Sequence, residues 1–305
     1  MGFPLGRCTS LILLSVLGLS ACSSTDASQP APADGLSIVA TTTILGSVVG
    51  DLTNCAGGEV STLIPSGADP HDFAPSSQQV ASLVNADIVI ANGLGLEGGL
   101  VDALESAKTD GATVYEVAPN ISPRNFAGST TPDPHFWFDM SRMANAVELI
   151  GDQLAAKGGA KYATCARAEA EKIRAAETQV KATLDSVPSN KRVLVTDHDA
   201  FGYLAEAYGY SIAGAVIPSG TTMAEPSSSD LADLAAIIKA KGVTAIFANT
   251  DSAKSLAKAV AGEVGYPVDV VELYVDTLGA PGSGADTYLG YMQTDAQRIA
   301  EALKR

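Results

Sequence analysis

Short β-branched runs alternate with amphipathic stretches along this chain, and the alternation breaks once, between residues 141 and 187. Before the break, residues 37–42 (SIVATT), 59–64 (EVSTLI), 87–92 (DIVIAN) and 113–117 (TVYEV) read as strands, with helical segments near 46–54, 76–85 and 97–107. After it, residues 192–196 (RVLVT), 211–217 (SIAGAVI), 243–249 (VTAIFAN) and 269–275 (DVVELYV) read as strands. Helices are expected near 200–208, 227–241, 252–264 and 286–304. Strands that alternate with helices imply βα units on a mainly parallel sheet. Inside the break the sequence is helix-forming, interrupted only at Gly158-Gly159, and residues 161–185 contain neither glycine nor proline. A helix of that length spans roughly 37 Å, about a domain's width, and Pro188 stops it. The expected fold is α/β: two lobes, each a mainly parallel four-stranded sheet flanked by helices, joined by one long rigid helix. The expected boundaries are 36–158 for the first lobe, 159–187 for the linking helix and 188–305 for the second lobe.

The N-terminal residues stand apart from this pattern. Arg7 supplies a positive start, and residues 11–19 are an almost unbroken apolar run, too short to span a bilayer comfortably. Residues 1–21 therefore read as an export signal. The run ends in Leu19-Ser20-Ala21-Cys22, which resembles the bacterial lipobox, so Cys22 is expected to be lipidated and to become the mature N-terminus. Residues 22–35, small, polar and proline-broken, then read as a tether. This places the chain outside the cytoplasm, lipid-anchored on the outer face of the cytoplasmic membrane or in the periplasm. Cys55 and Cys165 remain in the mature body, an even pair in a compartment where disulfides persist. They read as either a disulfide or two buried thiols, because sequence does not give the distance between them.

Asp and Glu total 34 against 19 Lys and Arg, a formal net charge of −15. Nucleic-acid backbones attract basic surfaces, so that class of partner is excluded.

Histidine is the scarce resource. The chain has only His71, His135 and His198. A lone histidine is more often a structural hydrogen-bonder than a metal ligand, but these three share a context. Asp69-Pro70-His71 and Asp133-Pro134-His135 repeat one another, each with aromatics just downstream. Proline fixes φ and biases its predecessor towards extended backbone, so each imidazole is presented from a stiff loop. His71 follows one expected strand by a short loop, and His198 follows another by two residues. In open parallel sheets ligands bind beyond the carboxyl ends of strands. Asp276, at the end of the expected 269–275 strand, is the remaining candidate there. Three imidazoles and one carboxylate suit a borderline divalent metal such as zinc. Asp69, Asp72, Asp139, Asp197 and Asp199 lie nearby in sequence as second acceptors for the ring N–H groups, or equally as helix caps and solvated turns.

The chain resembles the zinc/manganese-binding lipoproteins of bacterial ABC importers, the cluster A-I metal solute-binding proteins. The matching pieces are residues 65–76 (PSGADPHDFAPS), 91–97 (ANGLGLE), 133–139 (DPHFWFD), 196–209 (TDHDAFGYLAEAYG), 224–231 (AEPSSSDL) and 272–279 (ELYVDTLG). The resemblance implies a metal held at the lobe interface by His71, His135, His198 and Asp276. It implies Zn2+ as transported ligand, with Mn2+ as the alternative, because manganese-type members tend to carry Glu where His198 stands. A membrane permease of an ABC transporter is the implied partner, and a monomer is expected. Many zinc members carry a long His-rich loop before the second histidine; residues 119–134 here are short and contain none.

Other classes fit less well. A metal-dependent hydrolase needs an open coordination position and a poised base, and the chain has no His-Glu-x-x-His. Residues 91–99 (ANGLGLEGG) lack the lysine and spacing of a phosphate-binding loop, and no Gly-x-Ser-x-Gly elbow occurs. A surface adhesin predicts no convergent histidines. The expectation is a receptor and not an enzyme.

Overall fold

The structure is a computed structural model that describes residues 1–2, 35–249 and 251–305. Residues 3–34, which hold nearly all of the expected export signal, Cys22 and the tether, lie outside the described residues. Among the described residues no helix is long and apolar enough to cross a membrane.

The first lobe runs β1 (Ser37–Ala40), α1 (Thr43–Ala56), β2 (Glu59–Thr62), α2 (Ser77–Asn85), β3 (Ile88–Ala91), α3 (Val101–Thr109) and β4 (Val114–Glu116). Its four strands are parallel, in the order β2-β1-β3-β4. Then come α4 (Met140–Gly158) and α5 (Lys161–Asp185), the long strandless stretch. The second lobe runs β5 (Val193–Thr196), α6 (Gly202–Tyr208), β6 (Ser211–Ala215), α7 (Ser228–Lys241), β7 (Ala245–Ala248), α8 (Asp251–Glu263), β8 (Asp269–Glu272) and α9 (Tyr288–Lys304). Its strands are parallel in the equivalent order, β6-β5-β7-β8.

Burial explains the strand sequences. The inner strands β3 (IVIA) and β7 (AIFA) are buried at every residue, because helices cover both faces of a parallel sheet. The edge strands β2 (EVST) and β8 (DVVE) carry the polar and exposed positions. Side chains set the helix starts: Thr42 caps α1 by accepting from the Leu45 N–H, and Ser76 with Gln79 and Ser227 with Asp230 form capping boxes on α2 and α7.

Seven of the eight strands stop one to three residues before the end that sequence suggested, and the largest difference bears on the site. Residues 273–275 were expected to complete a strand, but β8 ends at Glu272. The Leu273 N–H still donates to Ala248 O at 3.2 Å, and the chain then leaves the sheet towards the first lobe. Leu278 N donates to Thr43 Oγ1 (2.9 Å), and Ser66 Oγ donates to Leu278 O (2.7 Å). Leu273 and Val275 are buried in the core shared by the lobes. Their apolar character reflects that burial and not a place in the sheet.

That core is continuous through both lobes. It contains Ile38 and Trp137 from the first, Ile173 from α5, and Phe201, Tyr288 and Tyr291 from the second. Helix α5 packs against α4, α1 and α9, so it touches elements of both lobes. A disulfide joins Cys55, at the end of α1, to Cys165 in α5, with their Cα atoms 5.9 Å apart. Across the interface, Trp137 Nε1 donates to Val275 O (3.0 Å) and Tyr288 Oη donates to Trp137 O (2.8 Å). The lobes are packed together rather than linked by a free hinge.

Candidate metal centre

The two Asp-Pro-His segments fold alike. Asp69 Oδ1 accepts from the His71 N–H at 2.9 Å, and Asp133 Oδ1 accepts from the His135 N–H at 3.0 Å. An aspartate that bonds the amide two residues on makes a local turn, and the intervening proline has no N–H to compete. His71 thus stands in the loop after β2. His135 stands at the entry to a short 3-10 turn, Phe136–Phe138, that buries all three aromatics. His198 follows β5 by two residues, held by its own N–H to Asp197 Oδ1 (2.8 Å). Asp276 sits four residues past the end of β8, in the segment that crosses to the first lobe.

These four residues converge. One ligand-capable atom from each lies within 4.8 Å of all the others. The ring centroids are 5.6 Å apart for His71–His135, 5.5 Å for His71–His198 and 5.3 Å for His135–His198. His135 and His198 have no solvent exposure. His71 Nε2, His135 Nε2, His198 Nε2 and Asp276 Oδ1 are all buried without a hydrogen-bond partner. Buried polar atoms are ordinarily paired, and leaving one unpaired costs on the order of 1–3 kcal/mol. Four converging residues that each carry such an atom form a donor set suited to a cation.

Hydrogen bonding on the far side of two rings sets which nitrogen faces inward. His135 Nδ1 lies 2.8 Å from Asp133 Oδ1, and His198 Nδ1 lies 3.1 Å from Asp197 Oδ1. A carboxylate only accepts, so each Nδ1 carries its proton and Nε2 is left to offer its lone pair inward.

The electrostatics divide the histidines. Burial, reinforced by His135 and His198, drives the His71 pKa down to about 2, so no proton holds that nitrogen in the working range. Burial also pulls His198 down, but the carboxylates of Asp276, Asp197 and Asp69 outweigh it and raise its pKa to about 9. Burial lifts the Asp276 carboxyl to about 6, against the opposing pull of His198 and His135. At neutral pH the metal-free site therefore holds a proton on His198 Nε2, 3.7 Å from Asp276 Oδ2. A metal held by these four residues would have to displace it. Affinity is expected to rise about tenfold per pH unit between pH 6 and 9, to level off above 9, and to fall more steeply below 6 as Asp276 also binds a proton. Competition titrations at stepped pH check this, and affinity unchanged between pH 7 and 8.5 would contradict it.

The family model described as "Zinc-uptake complex component A periplasmic" matches residues 38–302. The chain belongs to this zinc-uptake component A family. Among its relatives, the manganese-binding lipoprotein MntA of Halalkalibacterium halodurans is 30% identical, covering 98% of this chain and 99% of that protein. The zinc-binding protein TroA of Treponema pallidum is 31% identical over 91% of this chain and 92% of its own length. The iron ABC transporter substrate-binding lipoprotein MtsA of Streptococcus pyogenes serotype M1 is 28% identical over 99% of this chain and all of its own. The solved structure of the Treponema pallidum protein superposes with a TM-score of 0.82 at 26% identity, covering 89% of this chain and 100% of that one. Its fold is thus that of the family, two parallel four-stranded sheets flanked by helices.

In this family member the acids that flank the histidines have separate tasks. Asp197 orients His198, and its second oxygen accepts from the Asn249 N–H at 3.0 Å. Asp69 Oδ2 accepts from Thr222 Oγ1 of the second lobe at 2.5 Å. Asp139 is the N-cap of α4, accepting from the Arg142 N–H (3.1 Å) and Nη1 (2.7 Å). Asp72 is exposed. Asp199 is half-buried beside the site, its carboxyl raised by burial and by Asp133.

Asp133 was legible only as part of the repeated motif; its bond to the His135 ring was not. Two other supports were missed. Arg124 Nη1 donates to Asp133 Oδ2 at 2.8 Å. Asn92 Nδ2 donates to Pro134 O (3.1 Å), bracing the His135 loop from the 91–97 segment. Glu97 holds that segment in shape by accepting from Thr41 Oγ1, Asn92 N and Gly93 N. The sequence marked Asn92 and Glu97 only as members of the 91–97 stretch that carries part of the family resemblance, with no role for either side chain.

Proposed function

We propose that this chain is an extracytoplasmic receptor that captures one divalent transition metal, zinc foremost, between His71, His135, His198 and Asp276, and hands it to the permease of an ABC importer. The observation that carries this reading is the convergence of these four residues, each with a ligand-capable atom within 4.8 Å of the others and each with a buried, unpartnered side-chain atom. Three imidazoles with one carboxylate are a donor set for a borderline metal. A manganese receptor is the second reading, favoured by the likeness to MntA. The likeness to MtsA, an ABC transporter substrate-binding lipoprotein, supports the importer partner and anchoring through Cys22. Four protein ligands would close the coordination shell and leave no open position for a reacting water, which argues for capture over catalysis.

Because both lobes contribute ligands, a bound ion stabilises their packing by mass action. At a free zinc concentration of one hundred times Kd, the gain is about 2.7 kcal/mol, or roughly 5–10 °C in melting temperature for a chain of this size. Thermal unfolding of the metal-free protein with and without zinc tests the function. A melting temperature that zinc and manganese both leave unchanged would refute it.

A further inference from the structure

We propose that Arg124 is a positioning residue for metal capture, orienting His135 through Asp133 from a seat that the second lobe provides. The inference rests on reading His71, His135, His198 and Asp276 as the metal site.

Arg124 lies in the short 119–134 segment, where an isolated antiparallel bridge between Asn125 and Pro132 folds the chain back towards Asp133. Asp133 is completely buried. Its two oxygens are divided between two neighbours: Oδ1 takes the His135 backbone N–H and Nδ1, while Oδ2 takes Arg124 Nη1. A guanidinium on one oxygen stops the carboxylate from rotating without breaking a charge-assisted bond. The plane of the His135 ring is thereby fixed by a residue that never touches the metal. Acceptors behind metal-bound histidines are commonly worth 10–100-fold in affinity, and Arg124 stands one step further out.

The seat belongs to α6. The Arg124 N–H donates to Tyr203 Oη at 3.0 Å, and Tyr203 Oη donates to Asp133 O, also at 3.0 Å. The guanidinium carbon lies 5.6 Å from the Tyr203 ring centroid, and Arg124 Nε donates to Glu206 Oε2 at 3.2 Å. Gly202 makes the approach sterically feasible, because a Cβ there would come within 1.7 Å of Arg124 Nη1. Gly202, Tyr203 and Glu206 are second-lobe residues, whereas Arg124, Asp133 and His135 belong to the first. His135 is thus aimed correctly only while the lobes are docked.

The test is a double-mutant cycle on the full chain, read as zinc affinity by competition with a chelating dye. Arg124→Gln and Asp133→Asn are each expected to weaken zinc about 10–100-fold. The double variant should bind no more weakly than Asp133→Asn alone, because Arg124 acts through Asp133. Gly202→Ala provides a second route. It removes no polar group, yet its Cβ would meet Arg124 Nη1 at 1.7 Å and Asp133 Oδ2 at 3.0 Å, so it should weaken zinc in the wild-type background and cost less beside Arg124→Gln than alone. Melting temperatures of the metal-free variants are measured in parallel. A lower melting temperature with unchanged zinc affinity, or additive losses in the cycle, would assign Arg124 a purely structural role and overturn the inference. Wild-type protein that binds no zinc would overturn the metal-site reading itself, whereas wild-type affinity in Arg124→Gln overturns this inference alone.

Discussion

His135→Ala is expected to weaken zinc binding by about 700-fold. Four-ligand zinc sites in small proteins are worth about 10–16 kcal/mol in apparent binding free energy, or roughly 2.5–4 kcal/mol per ligand. Since 1.4 kcal/mol is tenfold, one lost ligand costs about 60- to 700-fold. His135 belongs at the upper end. It has no exposure, so water cannot readily take its place, and its loss strands Asp133 without the ring that Asp133 orients. His198→Ala should fall in the same range. Asp276→Asn should cost less, because the amide oxygen remains a potential ligand while only the charge is lost. Competition titration of the three variants measures this order, and a His135→Ala protein within tenfold of wild type would contradict it.

The Cys55–Cys165 disulfide carries the largest expected effect on stability. It closes a loop with a sequence separation of 110 between α1 and α5. A loop of about 100 residues constrains the unfolded chain by about 4.7 kcal/mol in the chain-entropy model. Replacing both cysteines with alanine should therefore lower the melting temperature by about 10–15 °C. Reduction under native conditions should do the same where reductant reaches the bond, and Cys55, unlike Cys165, is exposed. Calorimetry of the metal-free double variant checks the value, with a loss below 3 °C counting against it.

The legible parts of this protein were those whose signals are local. The α/β alternation survives in β1 to β8 because an inner strand such as β3 must be apolar throughout, and α5 reads as one helix because nothing between residues 161 and 185 breaks it. The three histidines were conspicuous through scarcity and through the Asp-Pro-His turn, whose Asp-to-amide bond is itself local. What escaped was set by the meeting of the lobes. Leu273 and Val275 looked like strand and are inter-lobe core. Arg124 carries no sequence signal at all, because Gly202, Tyr203 and Glu206 reach it only after folding.

Competitive titration of the metal-free chain with zinc and manganese tests the central claim most directly. Saturation is expected at one ion per chain, with both metals competing for the same site and zinc the tighter, its Kd below about 10⁻⁷ M. Several weak ions per chain, or none, would show that the four converging residues are not a metal site.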